Sequence, residues 1–377
     1  MKKNLLYLFF GLILLSSCET EIDTLAEYKD ITVVYGLLNP NDTTHYIKIT
    51  KAFSGEGNAS DLANNGSNYY YADGELNVTI DEYDASDIFK RSYSLTRTIN
   101  EIPKDNGVFD ETQNVLYKFV EPNLRQDYTY KLKIVNNKLG KEVTSSTKIV
   151  NDPSLPNLQE MTKVRVANSN GSNFTHTFSI KPQLNSGRVK VNFIFNYTEH
   201  YNDTNVAPVD KKVKISLGEQ KTTSLDGGEP LLFEMDGNSF FSALLSSIPA
   251  TVPNLSSRRI NNGTLEIIVA GPDLSTYIAV NEPSTSVNQT KPEFTNLING
   301  LGVFSSRSIL LLTTPAPQSQ YGFNADGQVN YHDDTLKKLL ALGLDFCNPR
   351  NYNAALPIQP PAPRCEDQVA NWDTFNP

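Results

Sequence analysis

The sequence predicts a mainly β protein, and two observations carry that prediction. From residue 31 onward, apolar and polar side chains alternate with a period of two in one segment after another, as in strands that bury one face. The segments between them are rich in Asn, Gly, Asp and Ser, the residues that turns favour. We expect an N-terminal immunoglobulin-like β-sandwich followed by a second antiparallel β domain with two short helices.

The alternation assigns residues 31–152 to the sandwich. Residues 31–38 and 46–53 have strand patterns, and the Asn-Pro-Asn-Asp of residues 39–42 has turn composition. Three later strand faces are marked by Leu76, Val78 and Ile80, then by Tyr128, Tyr130, Leu132 and Ile134, and then by Val143, Ser145, Thr147 and Ile149. The last two are joined by residues 136–140, a plausible hairpin because Asn and Gly tolerate positive φ.

The second β domain is predicted over residues 153–347, after a boundary with two prolines among turn formers. Alternation returns in Phe174, His176, Phe178 and Ile180, in Val189, Val191, Phe193, Phe195 and Tyr197, and in Val213, Ile215 and Leu217. Residues 265–270 are more uniformly apolar, which is typical of a strand covered on both faces. Residues 348–377 are predicted to form an extended strap because five prolines between residues 349 and 363 exclude regular structure.

Two short helices are predicted inside the second domain. The first follows Asp236-Gly237, with Asn238 or Ser239 as the expected cap. Its apolar residues recur at helical spacing, at Phe240, Phe241, Leu244, Leu245 and Ile248. The second is expected to be capped by Asp333 or Asp334. It carries Leu336, Leu339, Leu340 and Leu344.

The first residues predict a bacterial lipoprotein signal peptide over residues 1–17. Lys2 and Lys3 give a positive start, residues 5–15 are apolar but too short to span a bilayer permanently, and Leu-Ser-Ser is followed directly by Cys18. A plain secretory peptide or a membrane anchor would not require that cysteine. We expect Cys18 to carry acyl chains, each buried methylene contributing about 0.8 kcal/mol of membrane binding. Residues 18–30 then form a lipidated acidic tether with little to bury.

Net charge limits the kinds of partner. The chain has 33 basic and 42 acidic residues, a formal charge of -9. Cleavage before Cys18 removes two lysines and no acid, so the mature charge is -11. Such an acidic surface argues against nucleic acid or anionic lipid headgroups as partners.

Cys347 and Cys365 remain once Cys18 is assigned to lipid. In an oxidising compartment we expect them to form a disulfide, which would stabilise the fold by about 3 kcal/mol. Two buried free thiols are the competing interpretation. A metal pair is a third, with His332 as the nearby imidazole.

No catalytic signature is present, so the sequence predicts neither an enzyme nor a cofactor. The four histidines lack the paired spacing of a zinc-binding helix, and there is no Gly-x-Ser-x-Gly elbow. His45 and His176 lie within strand patterns, where a structural imidazole is expected. Residues 226–229, 326–327 and 332–334 offer oxygen ligands for calcium, but turn chemistry explains them more simply.

Tyr69, Tyr70 and Tyr71 are the candidate binding residues. They lie in the long polar loop of residues 54–73, and aromatic side chains on a loop can stack on a ligand or enter a partner's pocket. The alternative is that the loop folds back and packs its own tyrosines.

Four features together resemble a known family. These are the lipobox, the acidic tether, the Val-Val-Tyr-Gly-Leu-Leu of residues 33–38 and the Leu-Ile-Asn-Gly-Leu-Gly-Val-Phe of residues 297–304. They are similar to the Bacteroidota lipoproteins grouped as domain of unknown function 4249. The resemblance implies an outer-membrane lipoprotein that accompanies a TonB-dependent transporter. It also implies surface export directed by Glu19, Glu21 and Asp23, and O-glycosylation at the Asp-Thr-Leu tripeptides of residues 23–25 and 334–336.

Three functions follow as hypotheses. The first is a non-enzymatic accessory lipoprotein that docks on an outer-membrane barrel, such as a TonB-dependent transporter, and helps to capture a ligand with its loops. The second is a structural subunit for outer-membrane assembly or envelope integrity. The third is a surface glycan hydrolase, which would need two acidic residues facing each other across a cleft.

Overall fold

The computed structural model describes residues 31–52, 63–104, 107, 112–156, 163–203, 205–282, 293–312 and 330–347. The predicted signal peptide, Cys18, the tether and the strap of residues 348–377 all lie outside these ranges. Within them, no helix is long and apolar enough to cross a membrane.

The described ranges contain eighteen strands, three α-helices and a short 3-10 helix at Gly66–Asn68. The strands are β1 (Thr32–Leu38), β2 (Thr44–Lys51), β3 (Leu76–Tyr83), β4 (Phe89–Ser94), β5 (Thr96–Ile99), β6 (Val115–Val120), β7 (Thr129–Asn136), β8 (Lys141–Lys148), β9 (Lys163–Val164), β10 (Thr175–Ile180), β11 (Arg188–Tyr201), β12 (Val209–Lys221), β13 (Leu231–Asp236), β14 (Leu255–Ile260), β15 (Thr264–Ala270), β16 (Gly300–Leu312), β17 (Asn330–Tyr331) and β18 (Phe346–Cys347). The helices are α1 (Gly237–Ser247), α2 (Pro272–Asn281) and α3 (Asp333–Leu340). The predicted mainly β fold is confirmed.

Ten strands form one mixed sheet that runs through the molecule. Its order is β18-β14-β11-β15-β16-β1-β2-β6-β5, and β12 pairs with the other edge of β11. A second, antiparallel sheet has the order β4-β3-β7-β8. Two small sheets, β10-β13 and β17-β9, complete the described strands.

The first core lies between the β4-β3-β7-β8 sheet and the β16-β1-β2-β6 part of the large sheet. Alternate residues of each strand point inward, as the sequence pattern predicts. The buried members include Val34, Leu38, Ile47, Ile49, Val78, Ile80, Phe119, Leu132, Ile134 and Phe304. Each such side chain contributes about 2 kcal/mol on burial, so this face holds the two sheets together as a sandwich.

The sandwich is completed by a strand from far along the chain. β16 pairs in parallel with β1, from Thr32 opposite Gly300 to Leu38 opposite Ser306. The other half of β16 pairs with β15. The division predicted at residues 152 and 153 therefore separates β16 from the sandwich that it completes, whereas an immunoglobulin domain is contiguous in sequence.

The second core surrounds β11. Phe195, at its centre, has ring centroids of Phe240 at 6.1 Å, Tyr331 at 5.7 Å and Phe346 at 5.6 Å. These edge-to-face and tilted arrangements are the ones that aromatic pairs prefer. The core therefore fixes α1 and the segment after residue 330 against the same strand.

The helix caps differ from those predicted. Asp236, not Asn238 or Ser239, caps α1, because its carboxylate accepts a hydrogen bond from Ser239 N at 2.9 Å. His332, not Asp333 or Asp334, caps α3, with Nδ1 accepting from Asp334 N at 3.3 Å. The two acidic residues instead occupy the first turn, where they interact favourably with the helix dipole.

α2 is a third helix that the sequence pattern did not predict. It begins after Gly271, with Pro272 in its first turn, and it packs on β16. Leu274 N donates to Ser305 Oγ at 3.2 Å, which fixes the start of the helix on the strand. A proline in the first turn followed by Asp273 was the available signal.

Candidate ligand-binding cleft

A polar cleft lies on the face of β1, β2 and β16 that points away from the first core. We call it the outer-face cleft, and it has a volume of about 500 Å³. Its lining comprises Leu37, residues 41–46, Ile102 and Arg307. Volumes of this order are ordinary for small-molecule sites.

The β1–β2 turn forms one rigid wall of the cleft. Asp42 N donates to Asn39 O at 3.1 Å, and Asn41 N donates to Asn39 Oδ1 at 3.2 Å. The Asn41 amide then donates to Asp152 Oδ1 at 3.0 Å and to Ser308 Oγ at 3.3 Å. The turn predicted for residues 39–42 is thus confirmed, and it is tied to β16.

Arg307 is the cationic group of the cleft. It comes directly after the residues of β16 that pair with β1. Strand alternation turns its side chain to the other face of the sheet from Ser306 and Ser308, whose hydroxyls donate to Lys148 O and to Asp152. Arg307 is half-buried, and its Nε is fully buried without a hydrogen-bond partner. Across the part of the chain that the structure describes, no acidic side chain forms an ion pair with it.

Tyr46 and His45 contribute to the cleft in different ways. The Tyr46 hydroxyl donates to Glu101 Oε1 at 3.0 Å, and burial together with Glu101 raises the pKa of Tyr46, so the hydroxyl stays protonated. The His45 ring points inward: it lies 4.9 Å from the Phe119 ring, and Nε2 is 2.9 Å from Glu121 O. Burial lowers the pKa of His45, and this imidazole is neutral at pH 7. It belongs to the core, as predicted.

Two tyrosines lie farther along the same outer face. Tyr35 of β1 is 46% exposed, and its ring centroid is 6.1 Å from that of Tyr277 of α2. Their hydroxyls are 3.4 Å apart, and this hydrogen bond, with burial, raises the pKa of Tyr277 to about 12. Leu301, on the same face of β16, is 41% exposed. This tyrosine pair gives the outer face an amphipathic surface beside the cleft.

A buried carboxylate pair lies inside the sandwich. The Tyr93 hydroxyl, with one proton to donate, lies 3.0 Å from a carboxylate oxygen of each of Glu82 and Glu121, and Arg91 bridges the two carboxylates at 3.2 Å and 2.9 Å. Tyr130 also donates to Glu82, at 3.1 Å. The pair does not line the outer-face cleft. Because Arg91, Tyr93 and Tyr130 engage both carboxylates, the pair forms an ion-pair network that links β3, β4 and the end of β6.

The predicted binding tyrosines are not on the surface. Tyr69, Tyr70 and Tyr71 are 4%, 6% and 2% exposed. The Tyr71 hydroxyl is 2.8 Å from Thr32 Oγ1, and Tyr70 donates to Gln113 O at 2.9 Å. The described part of the loop packs its own tyrosines, because burying three rings outweighs the cost of ordering the residues that carry them. The structure therefore contradicts a direct binding role for these tyrosines and agrees with the alternative, in which they pack into the fold.

Lys48 holds this tyrosine loop. Its ammonium donates to Tyr70 Oη at 2.9 Å and to Asn114 Oδ1 at 2.7 Å, and it lies 4.7 Å from the centroid of the Tyr70 ring. Burial, with Lys104 nearby, lowers the pKa of Lys48 to about 8. The amine is engaged on two sides, so its role is to fix the loop.

The remaining predicted site residues are described only in part. Cys18 and Cys365 lie outside the described residues. Cys347 is disulfide-bonded. Since both other cysteines lie outside the described ranges, its pairing with Cys365 stays a prediction.

Of the proposed calcium loops, residues 326–327 lie outside the described ranges. In residues 226–229, Thr223 donates to Glu229 and Ser224 donates to Asp226. Among the described residues, no three His, Cys, Asp or Glu side chains cluster as metal ligands.

The fold class is a mainly β protein whose sandwich shares one long mixed sheet with a second β region. No protein-family model matches the sequence, and no curated protein matches it. Among solved structures, the chain is similar to the C-terminal globular domain of an oligosaccharyltransferase from Pyrococcus abyssi. That match has 11% identity and a TM-score of 0.25 and covers 64% of this chain. The aligned region spans 46% of the matched chain, and at this TM-score the likeness carries no functional argument.

Proposed function

We propose that this chain is a non-enzymatic accessory lipoprotein of the outer membrane, which captures a ligand and presents it to an outer-membrane barrel such as a TonB-dependent transporter. The observation that carries the proposal is the lipobox that ends at Cys18. Several acyl chains on that cysteine would hold the β body at a membrane surface, so it would act on neighbours in the same membrane.

Features of the outer face support both parts of this proposal, ligand capture and docking on a barrel. The outer-face cleft has the size and mixed lining of a small-ligand site. The tyrosine pair, exposed Tyr35 and half-buried Tyr277, offers the aromatic contacts that protein interfaces favour. Ligand capture and docking would then share one side of the molecule.

Copurification tests the docking half. The tagged full chain would be crosslinked in intact outer membranes, and we expect it to bring down a barrel protein. The double variant Tyr35→Ala and Tyr277→Ala should lose that barrel, whereas Phe89→Ala, an exposed aromatic residue on the other sheet, should keep it. Failure of the unaltered chain to retain any barrel protein contradicts the proposal.

Deletion distinguishes this function from the structural alternative. Loss of uptake of one nutrient, with the envelope intact, supports a transport accessory. General envelope defects with normal uptake would instead support a subunit for outer-membrane assembly or envelope integrity.

A further inference from the structure

We infer that the outer-face cleft binds a small, hydroxylated monocarboxylate, with Arg307 as the group that recognises the carboxylate. The inference deepens the proposed capture function and rests on it for its biological setting. The binding site itself is argued from the residues of the cleft.

The first step is the unmatched charge of Arg307. A half-buried guanidinium has lost part of its hydration, and burial of its Nε without a partner leaves a strong donor unused. The charge of other buried arginines in the described chain is paired: Arg188 binds Glu219 and Glu282, and Arg258 binds Glu199. An unpartnered Nε is shared with Arg188, so the unpaired charge is what distinguishes Arg307. Among the described residues Arg307 has no such acid, so an incoming anion would supply the missing counter-charge.

The geometry of the group favours a carboxylate. A guanidinium presents its N–H donors in a planar fork that a carboxylate matches with two parallel hydrogen bonds. Arg307 pairs with Ala270 of β15, directly after the pairing of β16 with β1 ends at Ser306, so its backbone is fixed before the ligand arrives. A preorganised donor of this kind loses little entropy on binding.

The second charged group limits the ligand to a single negative charge. The Asp42 carboxylate lines the same cleft, and among the described ion pairs it forms none with Arg307. With one positive and one negative protein group, a doubly charged anion such as phosphate would be repelled by Asp42. A monocarboxylate can pair with Arg307 and present neutral donors to Asp42.

The rest of the lining accounts for the hydroxyl groups. In the described structure no hydrogen bond engages the hydroxyl of Thr43 or Thr44, and the Asp42 carboxylate accepts none from a side chain. Hydroxyls of a ligand can donate to Asp42 and both donate to and accept from the threonines. Leu37 and Ile102 provide a smaller apolar part of the wall. Such a mixture suits a polyhydroxylated body better than a hydrocarbon one.

Calorimetric titration of the purified full chain tests the site. The probes are galacturonate, its neutral parent galactose, acetate and inorganic phosphate. We expect galacturonate to bind, and galactose and acetate to bind at least about tenfold more weakly, because each lacks one of the two recognised features. Phosphate should be weaker than galacturonate as well.

Variants assign the binding to Arg307. Arg307→Gln should weaken galacturonate binding about tenfold or more, and Arg307→Lys, which keeps the charge but not the fork, should give an intermediate loss. Arg125→Gln is the matched control, because Arg125 is exposed and lies outside the cleft. Thermal unfolding of each variant shows that the fold is retained, and Arg307→Lys keeps the test decisive if Arg307→Gln does not fold.

Three results would overturn the inference: no heat with galacturonate, equal binding of galacturonate and galactose, or unchanged binding in Arg307→Gln. Acetate or phosphate binding as tightly as galacturonate would overturn the hydroxylated monocarboxylate as the ligand class. Because the titration needs no membrane partner, a failure of barrel copurification leaves this result standing, and the two failures are distinguishable.

Discussion

At the residue scale, single side chains set both the packing of the sandwich and the chemistry of the outer-face cleft. Alternation alone assigns Val78, Ile80 and Leu132 to strand faces, and each is at most 2% exposed. Arg307 carried no such signal, because a single charged residue after two serines in a strand has no motif. Arg307 is a candidate binding residue because it lines one cleft with Leu37 and Ile102, which are distant in sequence and adjacent only in the fold.

His45 gives a pH dependence at this scale. Burial lowers the pKa of His45 below the ordinary value of 6.5, against smaller opposing effects of Glu121 and Asp42. Between the two pKa values the unfolded chain binds more protons than the folded chain, so stability rises with pH there. The stabilising contribution is complete above pH 6.5 and is lost as the pH falls through the folded pKa.

His45→Gln should therefore reduce the loss of unfolding free energy between about pH 7.5 and about pH 5, as measured by urea titration at each pH. Part of the dependence should remain, because burial lowers the pKa of His200 in the same direction. An identical pH profile in the variant would contradict the buried, neutral imidazole.

At the element scale, β14 and the pairing of β16 with β1 depend on distant partners, and the sequence predicted neither. β14 is polar in sequence, yet its Arg258 is fully buried: Nε donates to Glu199 at 3.0 Å and Nη1 donates to Leu344 O at 2.8 Å. Local alternation cannot reveal a strand whose buried residue is a paired arginine. The parallel pairing of β16 with β1 is equally invisible, since neither strand encodes its neighbour.

The ion-pair network between β3, β4 and β6 predicts a destabilising variant. Arg91→Leu leaves the buried carboxylates of Glu82 and Glu121 without a cation, which should cost about 2–4 kcal/mol of unfolding free energy. Lys133→Leu, which breaks an exposed pair with Glu142, should cost less than about 1 kcal/mol. Urea denaturation measures both.

A double variant separates the network from general packing loss. Adding Glu82→Gln to Arg91→Leu should cost less than the sum of the two single changes, because one of the unpaired charges is removed. Strict additivity, or equal costs for Arg91→Leu and Lys133→Leu, would contradict the network.

Gly302 shows why β16 can lie so close to β1. Its φ is +107°, and a Cβ there would lie 2.1 Å from Val34 O, so both the backbone conformation and the space require glycine. Gly302→Ala should lower the unfolding free energy by more than about 3 kcal/mol.

Gly218→Ala is its matched control. Gly218 has a φ of +104° with nothing within 4 Å of a Cβ, so this change should cost only about 1–2 kcal/mol of backbone strain. Chemical denaturation of the two variants separates steric from conformational cost. Equal losses would show that the close approach of β16 to β1 is not what requires glycine at residue 302.

At the scale of the whole molecule, the mainly β class and a β-sandwich were predictable, because they rest on periodicity and turn composition, which are local. The joining of the two β regions through β16 was not, since it depends on contacts between residues more than two hundred positions apart. The burial of Tyr69, Tyr70 and Tyr71 and the existence of the outer-face cleft depend on such distant contacts as well, so local patterns could not establish either.

Membrane attachment through Cys18 is the claim on which the proposed function depends. Intact-mass and peptide mass spectrometry of the chain extracted from outer membranes tests it most directly. We predict a chain that begins at Cys18, with a diacylglycerol on its thiol and an acyl chain on its amine. A chain that still begins at Met1, or that carries an unmodified Cys18, would contradict the account.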